Sequence, residues 1–374
     1  MQRTKRRMAL LFGLVSVLSL GAACSSDSKT TTTASSTAAA SSSAAGCTVT
    51  GASVDYTKLS GSLNGSGASF PDVAYQKFVT DFKAKASGVA VTYTKSGSSA
   101  GKQDLQNGVV QFAGSDSTVK DEDKAKFKGE FLYFPTVAAP ITVSYNLPGV
   151  DKLQLSGETV AGIFATSIKT WNDPKIVADN PGVTLPSTAI TVVHRSDGSG
   201  TTSNFTKYLT KAGGAAWTLG SGDTVNWDAS TQGGDKNSGV AAVVKGAFGA
   251  VGYVDLADAV NAGLKTAAIK NTAGKYVEPK LPATSSALAG AEVKADLTYD
   301  PLDAAGDETY AITAPTWILV YINQPDQVTA DALKGWLNFI LTDGQKAANA
   351  VGYAALPCEL ANKAVAQLEK IKVG

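Results

Sequence analysis

Three short stretches of the chain have a composition suited to holding a small anion: Gly65-Ser66-Gly67-Ala68-Ser69-Phe70-Pro71, Ser96-Gly97-Ser98-Ser99-Ala100-Gly101 and Asp197-Gly198-Ser199-Gly200-Thr201. Each runs directly into a segment whose apolar residues recur at helical spacing. The first N–H groups of a helix lack intrahelical acceptors and carry partial positive charge, so a helix start can receive an oxyanion. Glycine lets the backbone approach closely, and Ser or Thr adds a hydroxyl donor. One such turn by itself reads as an ordinary capped helix start. Three in one chain weaken that reading. Arg195, two residues before Asp197, adds a guanidinium able to grip an anion with two parallel N–H donors.

Composition narrows the partner. Lys and Arg number 33 against 32 Asp and Glu, a net charge of +1, so no bulk field draws in a polyanion and nucleic-acid binding is not expected. The single histidine, His194, excludes a multi-histidine metal centre, and Cys24, Cys47 and Cys358 form no clustered metal pattern. No metal and no cofactor is expected. DGSGTT lacks the lysine of a phosphate-binding P-loop. GSSAG is formally a G-x-S-x-G with Ser99 in the nucleophile position, followed by an Asp and then His194, which raises a serine hydrolase of α/β type as the enzyme reading. No HGGG-type oxyanion loop precedes it, and His194 ends a strand beside Arg195, so an enzyme is not expected. A third reading, a surface adhesin without a small ligand, would make Arg195 dispensable.

The elements that must position these residues follow from periodicity. VAVTY (89–93), APITVSY (139–145), AITVVH (189–194), AVGYV (250–254) and TWILVY (316–321) read as buried strands. Between them, PDVAYQKFVTDFKAKASG, TTSNFTKYLTKAGG, SGVAAVVKGAFG and DALKGWLNFILTDG read as helices. This alternation predicts an α/β fold, and some 310 ordered residues suit two α/β domains better than one.

The first residues carry an address. Arg3, Lys5, Arg6 and Arg7 precede the apolar run MALLFGLVSVLSL and the small residues Gly21-Ala22-Ala23, a signal peptide over 1–23 too short for a membrane span. LGAAC reads as a lipoprotein signal in which Cys24 is lipidated; an ordinary secretory signal is the alternative. Residues 24–46 are a Ser/Thr/Ala-rich spacer that holds the folded part off a surface. Without the four basic residues of the signal, 29 remain against 32 acidic, a mature charge of about −3. In an oxidising compartment Cys47 and Cys358 are left to pair, the alternative being two unpaired thiols.

GSGASFP (65–71), GSSAG (97–101), FAGSD (112–116), FPTV (134–137), HRSDGSGTTSNFTKYL (194–209), GGDKNSGVAAVV (233–244), GAVGYVDLA (249–257) and AITAPTWILV (311–320) resemble, in order, the phosphate-binding protein of the bacterial high-affinity phosphate ABC transporter, the Pst type. The similarity runs from about residue 61 to about residue 358. It implies a periplasmic-binding-protein type II-like fold, with two α/β domains joined by a two-crossover hinge and the ligand cleft between them. Domain I would be 47–137 plus 312–374, and domain II 138–311. The resemblance assigns phosphate binding to Ser69, Phe70 (by its backbone N–H), Ser98, Asp116, Arg195, Ser199, Gly200 and Thr201. Asp197 is assigned the role of orienting the arginine.

Where the family often has Arg-Arg, this chain has His194-Arg195, which leaves the role of His194 open; Ser69 stands where Thr is common. The implied protein is a lipid-anchored monomer on the outer face of the cell membrane, delivering inorganic phosphate to transmembrane permease subunits for import. Asp116 would accept the hydrogen bond of a phosphate proton that sulfate lacks. Recognition by buried dipoles and one arginine predicts an affinity that depends weakly on salt.

Overall fold

One strand is long enough to serve both halves of the molecule. The computed structural model describes residues 47–374; the signal peptide, the spacer and Cys24 lie outside the described residues. The main sheet is built from β1 (Gly61–Gly67), β2 (Val89–Thr94), β3 (Phe112–Ser115), β4 (Phe131–Tyr145), β5 (Thr191–Arg195), β6 (Gln232–Gly234), β7 (Ala250–Asp255) and β8 (Thr313–Tyr321). Its order is β2-β1-β3-β8-β4-β7-β5-β6, and Lys265–Thr266 pairs with β4 beside that path. β1, β2 and β3 run parallel at one end, and β5, β6 and β7 run parallel at the other. Antiparallel β8 and β4 join the two sets. From Phe131 to Pro140, β4 pairs with β8; from Ile141 to Tyr145 it pairs with β7. All of β4 except Phe131 is buried, as an apolar run covered on both faces must be.

The predicted strand 139–145 is thus the far end of a strand of 15 residues. Pro135 hides its first half, since proline removes a ladder donor. Pro135 is accommodated at a register shift opposite Thr316 and Trp317. β1 and β3 escape strand periodicity because GSLNGSG and FAGS carry no β-branched residue. Gly65, Ser66 and Gly67, read from sequence as part of a turn, are the last residues of β1. A side chain at Gly65 would enter the Phe112 ring on the neighbouring strand, which is why glycine stands there.

The helices start where the Gly-rich stretches end. α1 (Asp72–Lys85) buries Ala74, Tyr75, Phe78 and Phe82, with Asp72 in its first turn and Lys83 and Lys85 in its last, as the helix dipole favours. α2 (Ser98–Asn107) begins inside GSSAG rather than after it, because Gly97 at φ 98° turns the chain into the helix. α3 (Gly200–Ala212) is capped by the Ser199 hydroxyl, which accepts from the Thr202 N–H. α4 (Lys236–Gly246) and α5 (Leu256–Ala262) flank β7, and a small second core of Val193, Val240, Val244, Ala250 and Val254 sits beneath them. α6 (Gln327–Phe339), capped by Asp326, continues through a wider turn over Ile340–Gly344, and α7 (Cys358–Gln367) follows. A Cys47–Cys358 disulfide closes a separation of 311 residues, which rules out the two unpaired thiols and ties the start of the described chain to α7. Among the described residues no helix is long and apolar enough to cross a membrane.

Candidate functional site

β1, β2 and β5 lead into the three Gly/Ser stretches and β3 into Asp116, and all four converge on one place. Gly200, at the first turn of α3, lies so close to the other half that a Cβ there would stand 2.6 Å from Ser98 Oγ and 2.8 Å from Asp116 Cβ. Thr201 Oγ1 donates to Asp116 Oδ2 at 3.4 Å, and the Asp116 backbone N–H donates to Ser98 Oγ at 3.3 Å. Asn237, at the start of α4, connects the rest. Its backbone N–H donates to Ser69 Oγ at 3.3 Å, its Nδ2 donates to Thr201 Oγ1 at 3.4 Å, and its Oδ1 accepts from Arg195 at 2.6 Å. Ser69, Phe70, Ser98, Asp116, Arg195, Ser199, Gly200 and Thr201 are therefore brought together, and all of them are buried.

Donors outnumber acceptors here. The backbone N–H groups of Phe70, Ser98, Gly200 and Thr201 find no acceptor among the described residues. Buried backbone donors are nearly always paired, so four in one cluster mark a place built for an acceptor that the chain does not supply. Arg195 adds to the excess. Its side chain is 1% exposed. Nε and one NH2 hydrogen reach Asp197 Oδ1 and Oδ2 at 2.7 and 2.6 Å, and one NH1 hydrogen reaches Asn237, leaving two of the five guanidinium N–H groups uncommitted.

Asp197 meets the arginine in a two-point contact. Burial alone would raise its carboxyl, but the hydrogen bonds and charge of Arg195, joined by Lys236, outweigh that and hold it down at about 2. Asp116 is the opposite case. Burial pushes its carboxyl up to about 7, against the hydrogen bond that Thr316 Oγ1 donates at 2.7 Å and the attraction of Arg195. Its fourth contact is through the backbone, where Asn204 Nδ2 donates to its carbonyl at 2.6 Å.

This has a measurable consequence in the ligand-free protein. A carboxyl raised from about 3.8 to about 7 on folding gives stability that is full below pH 4 and is lost as pH climbs through 7. Asp116→Asn removes that loss. The stability of the variant relative to wild type is expected to rise between pH 4 and pH 8, by on the order of a few kcal/mol. Denaturant unfolding across that range checks it; a difference that does not change with pH would show that Asp116 is not a raised carboxyl.

His194 is resolved differently from the hydrolase reading. Its ring stacks on Trp227 with centroids 5.0 Å apart, and its Nδ1 lies 2.9 Å from the Arg195 carbonyl. Burial lowers its pKa, so it packs as a neutral strand residue. Ser99 donates instead to Asp223 at 2.8 Å, and among the described residues no hydrogen bond joins it to His194. Among the described residues no triad is assembled. Sequence reasoning missed Asn237, Thr316, Asn204 and the buried Asp255, which accepts from Asn237 at 2.7 Å. All four lie within blocks that carry the family resemblance, but single polar residues inside such runs carry no sign of which face they take.

Two parallel-stranded halves bridged by long strands, with helix N-termini meeting between them, have the layout of a binding protein of the periplasmic type. The chain belongs to the PBP superfamily domain family, whose profile matches residues 27–344, and within it to the PstS family. The phosphate-binding protein PstS of Pasteurella multocida is 36% identical over 312 residues, covering 82% of this chain and 89% of that protein. Phosphate-binding protein PstS 2 of Mycobacterium tuberculosis is 33% identical over 324 residues, covering 83% and 87%. The solved phosphate-binding protein from Stenotrophomonas maltophilia superposes with a TM-score of 0.65 at 20% identity, over 82% of this chain and 93% of that one, and shares the fold.

Proposed function

We propose that this chain is an extracytoplasmic receptor for inorganic phosphate that delivers its ligand to the permease subunits of an ABC importer. The observation that carries the reading is the cluster of four buried, unaccepted N–H groups around Arg195, facing one raised carboxyl. Tetrahedral phosphate needs many donors and, because it keeps at least one proton near pH 7, one acceptor. Asp116 is that acceptor. Ser69, Phe70, Ser98, Arg195, Ser199, Gly200 and Thr201 are the donors, and Asp197 orients the guanidinium. The names of the PstS relatives support the ligand.

The rest of the reading follows from the sequence. Lipidation at Cys24 and the spacer 24–46 would tether a monomeric receptor at the outer face of the membrane. Domain I (47–137 plus 312–374) and domain II (138–311) would rotate about β4 and β8, the strands that cross between the two parallel sets. Bonds across the cleft, such as the Ser99 N–H to the Gly198 carbonyl at 3.2 Å, belong to the closed arrangement. A ligand that contacts both halves favours closure because its contacts are complete only there.

Gly200→Ala tests this directly. The added methyl group would meet Ser98 and Asp116 at distances no side chain tolerates, so the halves cannot close on the anion. Calorimetric titration should show phosphate affinity falling by about 100-fold or more, a cost of about 3 kcal/mol for the lost contacts. Affinity within a few-fold of wild type would contradict binding between the halves.

A further inference from the structure

Beside the cluster of donors, and outside it, lies a cavity of about 630 Å³ walled by both halves, with Ser99 and Lys102 of α2 on one side and Ser203 and Lys207 of α3 on the other. Lys120 and Lys126 also line it. Its carboxylates are already committed: Asp223 accepts from Lys102 at 2.9 Å, and Asp123 pairs with Lys126 at 2.6 Å. Lys120 has only a loose, exposed contact with Glu122 at 3.7 Å. Lys207 is half-buried and, among the described residues, its ammonium has no hydrogen-bond or ion-pair partner. Burial pushes its pKa down, opposed by Asp300 and Asp223. A partly exposed cation without a protein partner is open to pairing with an anion that enters the cavity. The wall between this cavity and the donor cluster is the contact of Ser99 with Asp223 and Gly198, which joins the two halves and breaks when they part.

We propose that this cavity is an outer oxyanion site, with Lys207 as its anchor and Lys120 at its rim, that holds phosphate in the half-entered state before the halves close. The proposal rests on the phosphate reading above. An anion contact that is kept in the transition state for closure and lost in the closed complex lowers the barrier to entry and exit alike, so it speeds both and leaves the equilibrium nearly unchanged. Lys102 is not free for this role, because it holds Asp223. Having lysines but no carboxyl acceptor to spare, the outer site does not distinguish sulfate from phosphate, unlike the inner one.

Stopped-flow tryptophan fluorescence with inorganic phosphate, on the full folded chain, tests it. Lys207→Gln should lower the association and dissociation rates together, by about three- to tenfold, with Kd within about twofold of wild type. Lys207→Arg should keep both rates, and Lys120→Gln, at an exposed position, should slow both to a lesser degree. Sulfate at low ionic strength should slow phosphate association in wild type without displacing bound phosphate, and this effect should vanish in Lys207→Gln. Unchanged rates in Lys207→Gln would overturn the proposal. So would slower association with unchanged dissociation, since Lys207 would then act only as a distant charge on the inner site. Failure of wild type to bind phosphate at equilibrium would instead overturn the function itself, before any rate is measured.

Discussion

Arg195→Met is expected to lower phosphate affinity by about a thousandfold. Two guanidinium N–H groups not used by Asp197 or Asn237 are available to the anion, and hydrogen bonds to charged groups contribute about 1.5–3 kcal/mol each, so losing both costs about 4 kcal/mol. The change also strands Asp197, half-buried and held ionised by this arginine, so part of the effect falls on stability. Arg195→Lys separates the two. It keeps a cation beside Asp197 and hence the fold, but a point charge on a flexible stem cannot make the two-point contact with Asp197 and reach the anion as well. It should melt close to wild type and still bind phosphate at least tenfold more weakly, since one lost charge-assisted hydrogen bond is worth about 1.5–3 kcal/mol. Isothermal calorimetry on both variants, beside thermal melts, checks this. Phosphate affinity within about threefold of wild type in Arg195→Met would remove the arginine from the site, as the adhesin reading requires.

Asp116→Asn should act on selectivity more than on affinity. An ionised Asp116 accepts the hydrogen bond of a P–OH group, whereas sulfate offers no proton and sets oxygen against oxygen in a buried site. Such a contact costs a few kcal/mol, enough for a preference of about a hundredfold or more. An amide can donate to either anion, so the variant should lose most of that preference while its phosphate affinity falls less. The raised carboxyl adds a pH signature. Below about 7 Asp116 carries its own proton and can donate to sulfate; above it, only a protonated ligand is accepted. Phosphate-over-sulfate preference in wild type should therefore rise from pH 6 to pH 8, and in Asp116→Asn it should stay flat. Equal selectivity in the two proteins would rule out the carboxyl as the discriminating group.

The site was legible in the sequence because anion recognition by helix starts writes itself in small residues. Ser98, Ser199, Gly200 and Thr201 lie in contiguous Gly/Ser runs, and Arg195 stands next to one of them. Asp116 was different. FAGSD shows no periodicity, and the resemblance to a family rather than the composition singled it out. Asn237 and Thr316 stayed hidden for a related reason. One follows Lys236 at φ 62°, a backbone turn that no rule predicts for lysine, and the other sits at a register shift in a strand buried but for its last residue. Strand ends told a similar story. β2 and β7 are visible through their β-branched and aromatic residues, while β1, whose one large apolar residue is Leu63, forms because β2 and β3 pair with it on either side. Local propensity does not report such context.

The most direct test is a phosphate titration of the purified wild-type chain, stripped of bound ligand, with sulfate as competitor at pH 8. One phosphate per chain is expected, bound tightly and with little dependence on ionic strength, and barely displaced by sulfate at equal concentration. No saturable phosphate binding, or equal competition by sulfate, would contradict it.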